Sequence, residues 1–158
     1  MAALGHVSAG LVAKRFAPKV PLFILLAAGY LMDILEIIFE FTGIDDTQYA
    51  PWTHSLVMSA IWSAFAGLLA ALIFRSRRSG VVIALVVFSN WILDFITHPM
   101  DIGIIPHGLP FFLSASAKVG LGLYDSWVGM VIGEVGLPIV GLVFYLRGRR
   151  RAKIPLQD

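Results

Sequence analysis

Three features of the sequence predict an all-α fold, a polytopic membrane bundle of four full transmembrane helices plus a short N-terminal membrane helix. Hydrophobic residues make up 58% of the 158 residues and charged residues 14%, against roughly 25% charged in a soluble domain. The mean hydropathy is +0.84. Apolar runs near the required length of about 20 residues recur along the chain, and short basic clusters punctuate them. The expectation is one integral-membrane domain over residues 1–158, with a basic cytoplasmic tail at 147–158.

The elements follow in order. Met1–Phe16 is apolar but short for a span. No cleavable leader is expected, because no basic residue precedes the apolar stretch Met1–Ala13 and Lys14 and Arg15 follow it. Pro18-Lys19-Val20-Pro21 reads as a tight turn, since proline ends helices and restrains the residue before it. Val20–Phe41, Ser55–Phe74, Val81–Thr97 and Tyr124–Leu146 are the expected full spans. Gly108–Leu113 is apolar but broken by Gly and Pro, so Pro99–Leu123 is expected to lie on the outer interface as a cap. The basic clusters are Lys14, Arg15 and Lys19; Arg75, Arg77 and Arg78; and Arg147 to Lys153. The positive-inside rule places all three in the cytoplasm, the C-terminus included.

Composition also excludes chemistry. There is no cysteine, so thiolate metal sites, disulfides and thiol catalysis are ruled out. The basic pI of about 9.2 reflects topology signals and not a nucleic-acid partner.

The ionisable residues inside the apolar runs carry the functional argument. Each costs at least ~2.5–3.5 kcal/mol at the bilayer centre, which marks such groups as functional by default. Folding the chain back at Lys19 sets His6 level with Asp33, each roughly 20 Å from the turn. Folding it at Arg75–Ser79 sets His54 level with His98, with Asp94 one turn deeper. Glu134 lies roughly 15 Å into its own helix. These six side chains therefore share one slab in the outer half of the membrane. Histidines and carboxylates together suit a metal ion.

Most of these residues admit more than one reading. Asp94 and His98, four apart, share a helix face and can reach one ion, or form a buried hydrogen-bonded pair. His54 follows Pro51-Trp52 and is either a ligand or an interfacial residue, with Thr53 or Ser55 as helix N-cap. Asp33, Glu36 and Glu40 form an acidic stripe, in which Glu40 is solvated and Asp33 is deep. Asp33 takes either a backbone or hydroxyl donor or a cation shared with His6. His6 lies among small residues suited to close helix packing. Glu134 is a protonated carboxyl, a general base or an acceptor for a ligating imidazole. Lys118, ahead of Gly120-Leu121-Gly122, is an anion-binding or a snorkelling lysine.

Gly5-His6, Asp33, Thr53-His54-Ser55 and Trp91-Ile92-Leu93-Asp94 with Thr97 and Pro99 resemble the bacterial inner-membrane metal-dependent hydrolases. Over nearly its whole length the chain is similar to a group of small bacterial polytopic membrane proteins of unassigned function. The shared strings fall at Ala13–Arg15, Ala17–Leu22, Tyr49–Leu56 and Lys118–Tyr124. The chain departs from the hydrolase pattern at Leu35, Tyr49 and Asn90, where that family carries an acidic residue and two histidines. His98 is a candidate replacement on the other side of Asp94.

The residues and the resemblance together imply a membrane hydrolase with a divalent ion, zinc by preference. The expected ligands are His6, Asp33, His54, Asp94 and His98. Asp33, Glu134 and Lys118 are the expected catalytic groups, Lys118 for an anionic substrate group. A site facing the outer leaflet implies a lipid or lipid-linked phosphoester as partner, with homo-oligomerisation left open. The rival reading is a non-enzymatic membrane protein with a structural metal or a proton or ion site.

Overall fold

Ten helical segments and one short strand pair make up the described part of the chain. The structure is a computed structural model that describes residues 4–43, 51–98, 109–110, 112–113 and 118–152. The helices are α1 (Gly5–Ala13), α2 (Leu22–Gly29), α3 (Leu31–Thr42), α4 (Pro51–His54), α5 (Leu56–Ile73), α6 (Arg77–Thr97), α7 (Trp127–Val131) and α8 (Leu137–Ala152). A 3-10 turn at Leu123–Asp125 precedes α7, and a π-helical turn at Ile132–Gly136 joins α7 to α8. The strands are β1 (Leu109–Pro110) and β2 (Lys118–Val119), paired antiparallel with Leu109 opposite Val119. Among the described residues, three helices are long and apolar enough to cross a membrane: Leu56–Ile73, Arg77–Thr97 and Trp127–Arg150. The pair α2 and α3 makes a fourth if a bent pair counts as one span.

Local sequence sets the helix boundaries. Ser55 caps α5 by accepting from Met58 N–H at 3.3 Å. Ser76 caps α6 by accepting from Ser79 N–H at 3.2 Å, so α6 starts at Arg77, ahead of the expected Val81. Ser126 accepts from Gly129 N–H at 3.0 Å and starts α7 at Trp127, after the expected Tyr124. These serines satisfy N–H groups that have no partner within the helix.

Two expectations change. The run Val20–Phe41 is not one straight helix, because α2 and α3 meet at 60°. At the bend the Gly29 carbonyl accepts a hydrogen bond from Asn90 Nδ2 at 3.1 Å. Such an inserted side chain is one of the recognised causes of a sharp kink. The N-terminal run yields only the nine-residue α1, about 14 Å long at helical rise and too short to span.

Close approach holds α1 in the bundle. The turn after it is tied by Lys14, whose Nζ donates to Pro18 O at 2.9 Å and Val20 O at 2.6 Å. Lys14 is thus a structural residue as well as part of a basic cluster. A Cβ on Gly10 would stand 2.7 Å from the Leu25 carbonyl oxygen, so only glycine lets α1 lie this close to α2. On its other sides α1 packs against α6 and α8. Leu25, Met32 and Val87 fill the core. Phe65, Leu68, Leu72, Val81, Leu85 and Ile139 point outward and are exposed, as lipid-facing side chains of a span would be.

The basic clusters gather at one end. Gly148 faces the Arg15 side chain, and Arg78 lines the same groove as Phe16. Asp94 lies seventeen residues further along α6 than Arg77, about 25 Å away at helical rise.

Gly10→Val is expected to lower the unfolding midpoint in detergent, with overpacking costing about 1–3 kcal/mol. Gly136→Ala, which meets only the Ile132 Cγ2 at 3.9 Å, should leave it unchanged. A thermal melt followed by circular dichroism compares the two.

Candidate metal centre

Four elements bring their ionisable side chains to one place. His6 comes from the first turn of α1, Asp33 and Glu36 from α3, His54 from the end of α4 and Asp94 from the last turn of α6. Asp33 and Glu36 share a face because residues three apart on a helix are neighbours. Trp62 Nε1 donates to the Trp52 carbonyl at 3.0 Å and pins α4 onto α5. The Ser59 hydroxyl donates to the Thr53 carbonyl at 3.2 Å. Those two bonds fix the short segment that presents His54.

His6 Nε2 faces Asp94 Oδ1 at 3.5 Å, and His54 Nε2 faces Asp94 Oδ2 at 3.6 Å and Asp33 Oδ1 at 3.8 Å. His54 Nδ1 is 3.7 Å from Glu36 Oε2 and 2.9 Å from the Thr53 hydroxyl. His6 and Asp94 are each 1% exposed, and Asp33 and His54 6%. Neither ring nitrogen of His6 has a hydrogen-bond partner, and the same holds for Asp33 Oδ1 and Asp94 Oδ1. Buried polar atoms are nearly always paired, so such groups need an explanation.

The spacing supplies one. A charge-assisted N–H···O bond closes to about 2.7–2.9 Å. Two ligands held 2.0–2.1 Å from one ion at the tetrahedral angle stand about 3.4 Å apart. The imidazole–carboxylate distances of 3.5–3.8 Å are too long for the first and near the second. Two sets of donors lie mutually within 4.8 Å among the described residues: His6, Asp33 and Asp94, and Asp33, Glu36 and His54. These buried groups could hold a metal ion.

Neighbouring groups orient the donors. Asn90 Nδ2 donates to Asp33 Oδ2 at 2.7 Å while bonding the Gly29 carbonyl. This turns Asp33 Oδ1 toward His54. Tyr30 meets the His6 ring edge-on with centroids 5.7 Å apart. Burial alone would push the His54 imidazole down. The carboxylates of Asp33, Asp94 and Glu36 outweigh it and hold its pKa above the ordinary value. The cluster thus attracts positive charge, whether a proton or a metal ion.

The structure redistributes the expected roles. Four of the five expected ligands converge: His6, Asp33, His54 and Asp94. His98 stands outside both donor sets. It is the C-cap of α6, with Nδ1 2.9 Å from the Asp94 carbonyl and 4.0 Å from Asp94 Oδ1. A nitrogen engaged with that carbonyl is turned along its own helix end. Burial lowers the His98 pKa below its ordinary value.

Glu134 does not support an imidazole. Its carboxylate accepts from Leu4 N–H at 2.6 Å and from the Tyr124 hydroxyl at 2.8 Å. Burial and this bond raise the Tyr124 hydroxyl above the ordinary phenol range. Lys118 contributes its backbone to β2; its side chain, like all of Tyr49, lies outside the described residues. Of the expected cap Pro99–Leu123, residues 99–108, 111 and 114–117 lie outside the described residues; Leu121 N–H bonds Phe95 O at 2.8 Å and Gly122 N–H bonds His98 O at 2.7 Å at the end of α6. Sequence reasoning passed over Glu36, although its spacing from Asp33 was the signal.

No protein-family model, curated protein or solved structure matches the chain. The fold and the site define its class without them. This is a helical protein with three or four helices fit to cross a membrane and a buried His/Asp/Glu cluster able to hold a metal ion.

Asn90→Ala should weaken metal affinity about 10–100-fold, as loss of a group that orients a ligand does. Glu134→Gln keeps an oxygen for Leu4 and should leave affinity within about twofold, since capping and not chemistry is its role. Competition against a chromogenic chelator measures both.

Proposed function

We propose that this protein is a membrane-embedded, metal-dependent hydrolase of lipids or lipid-linked phosphoesters, working at the outer leaflet of a bacterial inner membrane. The observation that carries the reading is the set of buried imidazole–carboxylate distances of 3.5–3.8 Å with unpaired atoms facing each other. The resemblance of the His and Asp strings to bacterial inner-membrane hydrolases supports the reaction class. His6, Asp33, His54 and Asp94 would hold the ion, zinc by preference for a set of imidazole and carboxylate donors. A divalent ion in such a site acidifies water and polarises a phosphoryl oxygen.

The chain's own residues do the rest. Asn90 holds Asp33 by its Oδ2 and leaves Oδ1 facing inward. The Thr53 hydroxyl binds His54 Nδ1. With Nδ1 protonated, Nε2 keeps its lone pair toward the carboxylates. Glu36, with its side chain 39% exposed, marks the side on which the cluster opens. An apolar groove of about 380 Å³ lies between α2, α3, α5 and α6, reaching from Leu35, next in sequence to Glu36, to Ile73 and Phe74. It has the size and lining to receive an acyl chain.

Topology follows from charge. The three basic clusters share one end of the bundle, and the positive-inside rule makes that end cytoplasmic. The cluster of donors then lies toward the opposite leaflet, and the C-terminus is cytoplasmic.

The expected result is turnover of a labelled lipid extract by the purified protein, abolished by chelator and restored by added Zn²⁺ or Mn²⁺. Asp94→Asn should lower turnover at least 100-fold with its melting curve retained. Stoichiometric metal with no chelator-sensitive product would replace this reading by a structural metal site.

A further inference from the structure

We propose that the centre binds two divalent ions side by side, with Asp33 and Asp94 shared between them. The inference rests on the metal-centre reading above and adds to it the number of ions and the ligands of each.

The two donor sets do not merge. His6, Asp33 and Asp94 form one, and Asp33, Glu36 and His54 form the other, with Asp33 common to both. Asp94 shows the same division at atomic level. Its Oδ1 faces His6 Nε2 at 3.5 Å, while its Oδ2 faces His54 Nε2 at 3.6 Å. A carboxylate that presents one oxygen to each of two imidazoles is placed as a bridge between two ions. One ion then takes His6, Asp94 Oδ1 and Asp33. The other takes His54, Glu36, Asp94 Oδ2 and Asp33. Centres of this kind hold their ions about 3.5–4 Å apart and clamp both the attacking and the leaving oxygen.

Buried unpaired donor atoms line both sets, since Asp33 Oδ1 is common to the two and faces His54. His6 Nδ1 and Nε2, Asp94 Oδ1 and Asp33 Oδ1 all lack hydrogen-bond partners, in residues no more than 6% exposed. The second set includes Glu36, which is partly open to solvent. Charge favours two ions as well. Asp33, Glu36 and Asp94 bring three carboxylates together, and no lysine or arginine is paired with any of them among the described ion pairs. One divalent ion leaves that set net negative in a low-dielectric site; two leave room for a hydroxide or a phosphoester anion.

The test uses the full chain in detergent, stripped with EDTA and then titrated with Mn²⁺. The result expected is two Mn²⁺ per chain with a spin-coupled electron paramagnetic resonance spectrum. Glu36→Gln and His6→Asn should each reduce this to one Mn²⁺ with an uncoupled six-line signal. The wild-type spectrum alone tests the proposal if a variant fails to fold. One Mn²⁺ per chain, or two without coupling, overturns the shared pair and leaves the single-ion reading standing. No bound Mn²⁺, Zn²⁺ or Co²⁺ overturns both. Coupled ions without any hydrolysis supports the pair and removes the hydrolase.

Discussion

The structure is organised around the burial of negative charge that no lysine or arginine pairs with among the described ion pairs. Asp33 and Asp94 are buried, and Glu36 lies at the exposed edge of the group. The clustered lysines and arginines gather at the other end of the bundle, about 25 Å away along α6. Burial of an unpaired carboxylate is so unfavourable that the group either takes a proton or finds a cation. Among the described residues the groups within ion-pair distance are all histidines: His6 and His54, and His98 at the edge of the range. The distances of His6 and His54 from the carboxylates fit ligands of a common ion better than direct ion pairs.

That constraint explains features that would otherwise be unrelated. The kink between α2 and α3 lets Asn90 reach both the Gly29 carbonyl and Asp33. One amide thereby satisfies the bend and aims the carboxylate. Asn90 therefore orients a donor without being one. Leu35, next in sequence to Glu36, lines the apolar groove between α2, α3, α5 and α6.

Much of this was legible in the sequence, though not the pairing. Helix rise and two turns were enough to set His6 level with Asp33, and His54 within a turn of Asp94. Level does not fix azimuth: His6 shares a donor set with Asp33 but also faces Asp94, and His54 faces Asp33 and Asp94. The serine caps at Ser55, Ser76 and Ser126 determine where helices begin, and of these the sequence offered only Ser55, as an alternative to Thr53. The kink at Tyr30 could not be read, because Gly29-Tyr30 carries no proline and the break depends on Asn90, sixty-one positions from Gly29. Glu36 was visible in the acidic stripe. It was passed over because spacing along one helix does not say which member faces the neighbours.

A short helix carries one of the most buried donors. A nine-residue helix is marginal on its own in water. α1 nonetheless has to hold His6, 1% exposed, against Asp94. It has no side-chain cap of its own at Leu4. Glu134 supplies one from the far helix, accepting from Leu4 N–H, and Tyr124 fixes Glu134 in turn. A negative group at a helix N-terminus is favourable both for the unpaired N–H and for the helix dipole. Gly133 permits this, since a Cβ there would fall on the Tyr124 ring. Gly141 does the same for Ser8 further along. The deep carboxylate of the last span thus acts on the centre at second hand. It sets the start of α1, and the start of α1 sets His6.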